Sequence, residues 1–278
     1  MKIRLGKVDY LNCLPVYNAI ENGRVPLEVD FVKGVPTRLN TLFMAGELDI
    51  TPVSSIEFAR HPDKCIILPN VSISADGRVG SIFLFSRVPI TDLNGKKVCL
   101  PDTSATSVAL LKILFHHYYK IEAAFETVPD DLELMLSRAD AGLLIGDRAL
   151  ITNHQVRVTE KPLYVTDLGS VWKEFTGLPM VFALWVIRRD FATRYPSETD
   201  VVAQAFLTAK RIGHAELDRL AIIAQQKVPL PRDVLDDYFN LIKHDFDTPY
   251  RKGLTAYYQY AFQIGLIAEP APLVVWGE

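Results

Sequence analysis

The sequence predicts an α/β protein with two lobes, two hinge strands and a ligand cleft between the lobes. Short β-branched runs alternate with helical patterns through roughly the first two thirds of the 278 residues. Such alternation is typical of largely parallel sheets with helices on their faces. The last third contains helical patterns and almost no strands. The length also suits two compact lobes better than one.

Seven segments are predicted strands because they are short, apolar and bounded by turn residues. They cover residues 3–8, 27–32, 49–53, 81–86, 96–100, 141–145 and 181–187. Amphipathic patterns predict helices at 37–45 and 107–119 between them.

Two of these strands, 81–86 and 181–187, are continuous apolar runs, as expected for strands buried on both faces. We interpret them as the crossings between the lobes. Residues 1–87 and 188–278 then form lobe I, and residues 88–187 form lobe II. This is the arrangement of type II periplasmic-binding-protein folds, in which the ligand lies in the cleft beside a two-strand hinge.

Local signals predict the C-terminal helices. The pattern Ser-Glu-Thr-Asp at 197–200 predicts a capping box at a helix start. Pro231 and Pro249 are placed where a proline opens a helix. An apolar stripe near the end predicts core packing rather than a cofactor site; it contains Leu254, Tyr257, Tyr258, Ala261, Phe262 and Leu266.

Composition excludes several classes of function. The net charge is −3 and the basic residues are scattered, so we expect no nucleic-acid partner. No apolar segment is long enough for a signal peptide or a membrane span, so we expect a cytoplasmic protein with no membrane partner. Three separated cysteines indicate neither a zinc site nor disulfides. The sequence leaves the oligomeric state open.

Polar residues follow several predicted strands, where ligands bind in open α/β sheets. Asn12 follows the first strand, and it is either a ligand-binding amide or a helix cap. Ser54 and Ser55 follow the third strand and open a helix; they favour an anion site slightly over simple capping. Ser86 ends a crossing strand and is either a cleft residue or a solvated strand end.

The segment 101–107 contains four hydroxyl residues before a helix, more than one cap requires. This favours a carboxylate cradle at Ser104, Thr106 and Ser107. After the strand at 141–145, Gly146 allows close approach of a ligand to the backbone. Asp147 is a proton acceptor, an orienting group or a helix cap, and the cap is the commonest role of such a residue.

Six segments, in this order along residues 3–190, resemble the chorismate dehydratase family of the futalosine route to menaquinone. They are VDYLN at 8–12, GELDI with PVSS at 46–55, SATSVALL at 104–111, LLIGD at 143–147, DLGSVW at 167–172 and TGLPMVFA at 176–183. The helical end is similar only in pattern. The resemblance implies a type II solute-binding fold and no metal or organic cofactor.

The resemblance also implies an activity, the conversion of chorismate to 3-[(1-carboxyvinyl)oxy]benzoate and water. Chorismate is a dianion, and we expect the two serine clusters to hold one carboxylate each. The base that takes the ring proton is either Asp147 or the substrate's own enolpyruvyl carboxylate, which we favour. Asn12 would orient the substrate or hydrogen-bond the departing hydroxyl.

Two other functions compete with this one. The sister enzyme of the same pathway cleaves cyclic dehypoxanthinyl futalosine and shares the fold. A non-catalytic carboxylate-binding protein would share the fold as well, because a fold does not settle function.

Overall fold

Two five-stranded sheets form the centre of the protein. The structure, a computed structural model, describes residues 2–159 and 162–278. In chain order the strands are β1 (Ile3–Lys7), β2 (Val29–Lys33), β3 (Ile50–Ser54), β4 (Cys65–Ala75), β5 (Ile82–Ser86), β6 (Lys97–Pro101), β7 (Ala124–Val128), β8 (Ala141–Ile145), β9 (Tyr164–Asp167) and β10 (Met180–Arg188). The first sheet has the order β2-β1-β3-β10-β4, and the second has the order β7-β6-β8-β5-β9.

Helices cover these sheets and form most of the C-terminal third. They are α1 (Leu14–Glu21), α2 (Pro36–Met44), α3 (Ser55–Arg60), α4 (Ala105–Ile113), α5 (Leu132–Arg138), α6 (Gly146–Val158), α7 (Leu168–Thr176), α8 (Arg189–Arg194), α9 (Pro196–Ala215), α10 (Leu217–Gln225), α11 (Arg232–Leu241) and α12 (Thr248–Gln263). Short 3₁₀ turns lie at Leu11–Cys13 and Ile90–Leu93, and a π-helical turn at Leu114–Tyr119 extends α4.

The seven predicted strands are confirmed to within about two residues at each end, and the expected α/β fold with two lobes is present. The sequence analysis missed β4, β7 and β9. In β4 the pair Pro69-Asn70 interrupts the apolar run, and Asn70 has a φ of 47°. A residue in the left-handed region breaks the alternation by which a strand is recognised.

The prediction of largely parallel sheets is wrong. β1 pairs in parallel with β2 and β3, and β6 pairs in parallel with β7 and β8. However, β10 is antiparallel to β3 and β4, and β5 is antiparallel to β8 and β9. Except for the last residue of each, both antiparallel strands are apolar runs, and such a run carries no information about strand direction.

The chain passes between the sheets twice. β5 pairs only with strands of the second sheet and β10 only with strands of the first, within the described residues. The changes of sheet therefore fall at residues 76–81 and 168–179. The division into residues 1–87 with 188–278 and residues 88–187 stays a prediction.

The C-terminal helices pack on the first sheet, with α9 against β4 and α12 against β10. The predicted capping box at 197–200 is wrong. Helix α9 begins at Pro196, its N-cap residue is Tyr195, and Ser197 therefore already lies inside the first turn. Pro231 precedes α11 and Pro249 lies in the first turn of α12, as predicted. Of the predicted apolar stripe, Phe262 is 45% exposed and does not belong to the core.

A buried hydrogen-bond chain fixes the start of α1 on the first sheet. The indole N–H of Trp185 donates to the Tyr17 hydroxyl at 2.9 Å, and that hydroxyl donates to the Gly6 carbonyl at 2.8 Å. Both aromatic side chains are fully buried. This chain joins β10, α1 and β1, and so it sets the position of the 3₁₀ turn that precedes α1.

Among the described helices none combines the length and the apolar composition that crossing a membrane requires.

Candidate functional site

A cavity lies where strands of both sheets end. Many of its lining residues lie at or after the carboxyl ends of β1, β3, β6 and β8, as the open α/β rule predicts. The lining consists of Val8, Tyr10, Asn12, Cys13, Pro36, Pro52, Ser54, Ile73, Val79, Ser81, Ile82, Thr103, Ser104, Ser107, Ile145, Gly146, Phe182, Ala183 and Ile242.

Helix starts converge on this cavity. The lining includes the 3₁₀ turn before α1, Pro36 of α2, Ser54 before α3, Ser104 before α4 and Gly146 of α6. Backbone N–H groups at helix starts have no partner within the helix and carry partial positive charge. The described lining contains no Lys, Arg or His side chain. An anion in the cavity would therefore be held by neutral donors, such as the hydroxyls of the lining.

Asn12 presents a free acceptor at the cavity. Its Oδ1 atom is buried and has no hydrogen-bond partner among the residues that the structure describes. The residue before α1 is Cys13, so Asn12 does not cap that helix. The backbone carbonyl oxygen of Asn12 lies 2.7 Å from His244 Nε2, within hydrogen-bond distance. A buried amide oxygen without a partner is costly, which favours the ligand-binding interpretation.

The start of α4 brings together two of the three predicted cradle residues. Ser104 caps the helix by accepting a hydrogen bond from the Ser107 N–H at 3.4 Å, and its hydroxyl lies 3.0 Å from that of Ser107. Thr106 points away from the cavity and accepts from the Ile56 N–H at 3.2 Å.

The sequence analysis did not select Thr103. Its Oγ1 atom is buried and unpartnered in the described part of the chain, and the residue lines the cavity. The density of hydroxyl residues in segment 101–107 is the signal that singles out this loop, although it does not single out this residue.

The two adjacent serines before and in α3 differ in role. Ser54 lines the cavity, and its side chain makes no capping hydrogen bond to the described helix. Ser55 is fully buried and donates to the Val181 carbonyl at 2.8 Å. Ser86 is also fully buried and donates to the Val88 carbonyl at 2.7 Å. The structure therefore brings Ser54 to the cavity and does not bring Ser55 or Ser86 there.

Gly146 closes the cavity on the side of the second sheet. Its φ is 63°, which an L side chain rarely adopts, and its N–H donates to the Ser81 carbonyl at 2.7 Å. A Cβ atom at this position would lie 3.4 Å from the Tyr10 ring. Glycine is therefore favoured here by its conformation, while a Cβ atom would make only an ordinary contact with Tyr10.

Asp147 joins the lobes instead of lining the cavity. Its carboxylate oxygens accept from the Leu11 N–H at 3.1 and 3.3 Å. It does not cap its own helix, since α6 follows Ile145. Burial raises the pKa of Asp147 to about 6, and the hydrogen bond from Leu11 offsets part of that rise.

Apolar side chains form the remaining walls. Ile73, Val79, Phe182 and Ile242 line the cavity. The sequence analysis selected none of them as site residues, and it predicted Phe182 only as part of the strand 181–187. Apolar walls with a few polar groups are the usual lining of a small-molecule site.

The fold and the cavity define the class first: a two-lobed α/β protein with a cavity between its lobes. The chain is similar to the periplasmic aliphatic sulphonate binding protein from Escherichia coli. The TM-score is 0.69, the identity is 14%, and the match covers 99% of this chain and 97% of that one. At this identity the likeness shows the fold alone, which is the two-lobed periplasmic-binding-protein fold that the sequence predicts.

The family follows from sequence similarity. The family model described as "Menaquinone biosynthesis" matches residues 3–263, and the chain belongs to this family. It is 32% identical to "Chorismate dehydratase" from Thermus thermophilus, over 91% of this chain and 93% of that protein. It is 27% identical to "1,4-dihydroxy-6-naphtoate synthase" from the same organism, over 98% of this chain and 99% of that protein. The predicted family resemblance is confirmed.

Proposed function

We propose that the chain is a chorismate dehydratase, a lyase that converts chorismate to 3-[(1-carboxyvinyl)oxy]benzoate and water. The observation that carries this proposal is the convergence of helix starts and hydroxyl groups from both lobes on one cavity with apolar walls. The similarity to the Thermus thermophilus dehydratase over nearly its whole length supports the same activity.

The substrate's charges match the polar parts of the cavity. Chorismate carries a ring carboxylate and an enolpyruvyl carboxylate. Ser104 and Ser107 at the start of α4 offer hydroxyls to one of them, and Ser54 on the first sheet offers one to the other. Thr103 adds a further hydroxyl without a described protein partner. Neutral donors fixed in a water-poor cavity stabilise charge strongly because they need no reorganisation.

The reaction needs little beyond geometry and a base. A ring proton and the ring hydroxyl leave together as water, and the ring becomes aromatic. The driving force lies in the substrate, so the protein's task is to orient it, exclude water and stabilise developing charge.

The substrate's own enolpyruvyl carboxylate is the base in this proposal. The alternative base, Asp147, is engaged by the Leu11 N–H and does not line the cavity. Asn12 would orient the ring or hydrogen-bond the departing hydroxyl, and its buried amide oxygen without a partner in the described chain supports this role. The amide can both accept and donate hydrogen bonds.

The location of the protein is a further part of the proposal. All three cysteines, Cys13, Cys65 and Cys99, are buried and unpaired in the described residues. Unpaired thiols fit the reducing conditions of the cytoplasm. The partner is a small dianion, and we propose neither a nucleic-acid nor a membrane partner.

The test is to incubate the purified protein with chorismate and to follow the aromatic product by absorbance and mass spectrometry. We expect wild-type protein to convert chorismate and to leave cyclic dehypoxanthinyl futalosine unchanged. Asn12→Ala should lose most of kcat, and the exposed Asn240→Ala should not. A protein that binds chorismate without consuming it would instead be a carboxylate-binding protein.

A further inference from the structure

A pair of histidines lies behind the cavity and is not used by the proposed reaction. His244 is fully buried, and its Nε2 atom lies 2.7 Å from the backbone carbonyl oxygen of Asn12. His214, on α9, places its Nε2 atom 2.9 Å from His244 Nδ1. The three residues come from separate parts of the sequence, so the contact depends on the tertiary fold.

We infer that His244, held by His214, is a positioning residue that fixes the Asn12 turn so that the Asn12 side chain faces the substrate. The inference deepens the proposed function and rests on it, because it concerns the same site and the same reaction. His244 contacts the backbone of Asn12 and does not line the cavity.

Hydrogen-bond chemistry fixes the tautomers of the pair. A carbonyl oxygen only accepts, so His244 Nε2 carries the hydrogen that it donates to Asn12. A neutral His244 then has an accepting Nδ1, and His214 must donate to it from Nε2. Burial lowers the pKa of His244 to about 3 and also lowers that of His214, so both rings are neutral near pH 7. The neighbouring ammonium of Lys210 acts in the same direction on both pKa values.

The segment that carries His244 is attached to the first sheet at several points. The His244 carbonyl accepts from the Ser72 N–H at 3.1 Å, and the Phe246 N–H donates to Asn70 Oδ1 at 2.7 Å. Lys210 donates to the Asn70 carbonyl at 2.7 Å and to Asp245 Oδ1 at 2.9 Å. Because this segment is fixed to the sheet, the His244 side chain can hold the peptide group of Asn12 in one position.

The arrangement excludes a proton relay from His214 to the substrate. The chain of hydrogen bonds ends on a carbonyl oxygen, which is not a base near neutral pH. The role left for the pair is to hold the peptide group of Asn12, and with it the direction of the Asn12 side chain.

The central experiment compares His244→Gln with His244→Leu. The glutamine Nε2 can still donate to the Asn12 carbonyl, whereas leucine cannot. We expect His244→Leu to lower kcat by roughly 10- to 100-fold and His244→Gln to recover most of that loss. Phe246→Leu is the control, since it alters a fully buried residue of the same segment that makes no described hydrogen bond to Asn12. It should lower the Tm and leave kcat unchanged.

Two further measurements separate positioning from a merely structural role. In an Asn12→Ala background, His244→Leu should cause no additional loss of kcat, because the group that it positions is already absent. In ¹⁵N-labelled wild-type protein, NMR should show both histidines as Nε2–H tautomers at pH 7. This spectrum tests the geometry even if the protein does not act on chorismate.

Three results would overturn the inference. One is a wild-type kcat in His244→Leu, and another is a full multiplicative loss in the double variant. The third is an Nδ1–H tautomer at His244. If wild-type protein leaves chorismate unchanged while the tautomers are as expected, the proposed function fails and the geometry stands.

Discussion

The carboxylate of Asp147 is buried at the junction of the lobes, and its hydrogen-bond donor is the backbone N–H of Leu11. The pKa of this residue is raised from 3.8 to about 6, mainly by burial. Between these two pH values the folded protein therefore binds more protons than the unfolded chain. The free energy of unfolding consequently falls as the pH rises through this window.

Asp147→Asn removes the cost of ionising a buried carboxyl group and keeps an oxygen acceptor for the Leu11 N–H. We expect the stability advantage of the variant over wild type to grow by about 1 kcal/mol between pH 5 and pH 7 and to be constant above pH 7. Urea unfolding at pH 5, 6, 7 and 8 measures it. An advantage that does not change with pH would contradict the raised pKa.

The same variant tests the choice of base. If the substrate's enolpyruvyl carboxylate takes the ring proton, Asp147→Asn should keep turnover within about threefold of wild type, because the lobe contact is retained. Loss of nearly all turnover in a folded variant would assign the base to Asp147.

For single residues, the sequence could indicate which polar side chains lie near the site, but not which of them face the cavity. It named Asn12, Ser54, Ser104, Ser107 and Gly146, and the structure places all of these at the cavity. It also named Thr106, whose hydroxyl faces Ile56 on the other side of the helix. Which side of a helix start faces a ligand depends on packing against α3 and α12, which local spacing does not encode.

At the level of elements, the start of α4 is the main anion-binding candidate. We expect Ser107→Ala to lower kcat/KM for chorismate by roughly 10- to 100-fold, the loss of one hydrogen bond to a charged group. Ser86→Ala serves as the comparison, because its hydroxyl is bonded to the Val88 carbonyl away from the cavity. Steady-state kinetics of both variants measure the difference, and equal effects would contradict the assignment.

The packing of α1 on α9 depends on Gly213. A Cβ atom there would lie 1.9 Å from the Pro15 carbonyl oxygen. Alanine would normally stabilise a helix interior by about 1 kcal/mol relative to glycine. We expect Gly213→Ala to destabilise the protein by about 1 to 3 kcal/mol instead, because the helices must separate.

Thermal or urea unfolding checks this prediction, with the exposed Arg211→Ala on the same helix as a control. A stabilised Gly213→Ala protein would contradict the close packing of α1 on α9.

Whether a segment is a helix or a strand was predictable where the apolar pattern was clear. The direction of a strand relative to its neighbours in the sheet was not. β5 and β10 were found as strands, but their antiparallel pairing comes from the path of the chain between sheets. β9 has only four residues, Tyr164–Asp167, and offers too short a pattern to recognise. The contact between Leu11 and Asp147 joins residues 136 positions apart, and no local signal indicates it.

At the scale of the whole molecule, Gly146 is where the second lobe meets Tyr10 of the first. Gly146→Ala would force a side chain into the left-handed region, at a cost of about 1 to 2 kcal/mol, and would add a methyl group to the cavity lining beside that ring. We therefore expect a higher KM for chorismate as well as lower stability. Gly177→Ala is the matched control, because Gly177 has a φ of 72° and open space around it. Equal KM values in the two variants would show that the lobe contact does not affect binding.

The two passages of the chain between sheets have a consequence for synthesis on the ribosome. The strands of the second sheet are all contained in residues 82–167, so this half can assemble once that stretch has emerged. In the first sheet, β4 has β10 as its strand neighbour, and β10 is not made until residue 188. The first sheet is thus begun first and completed last. Until β10 emerges, it consists of β2, β1 and β3 with one edge of β3 unpaired, whereas all strands of the second sheet are already available for pairing.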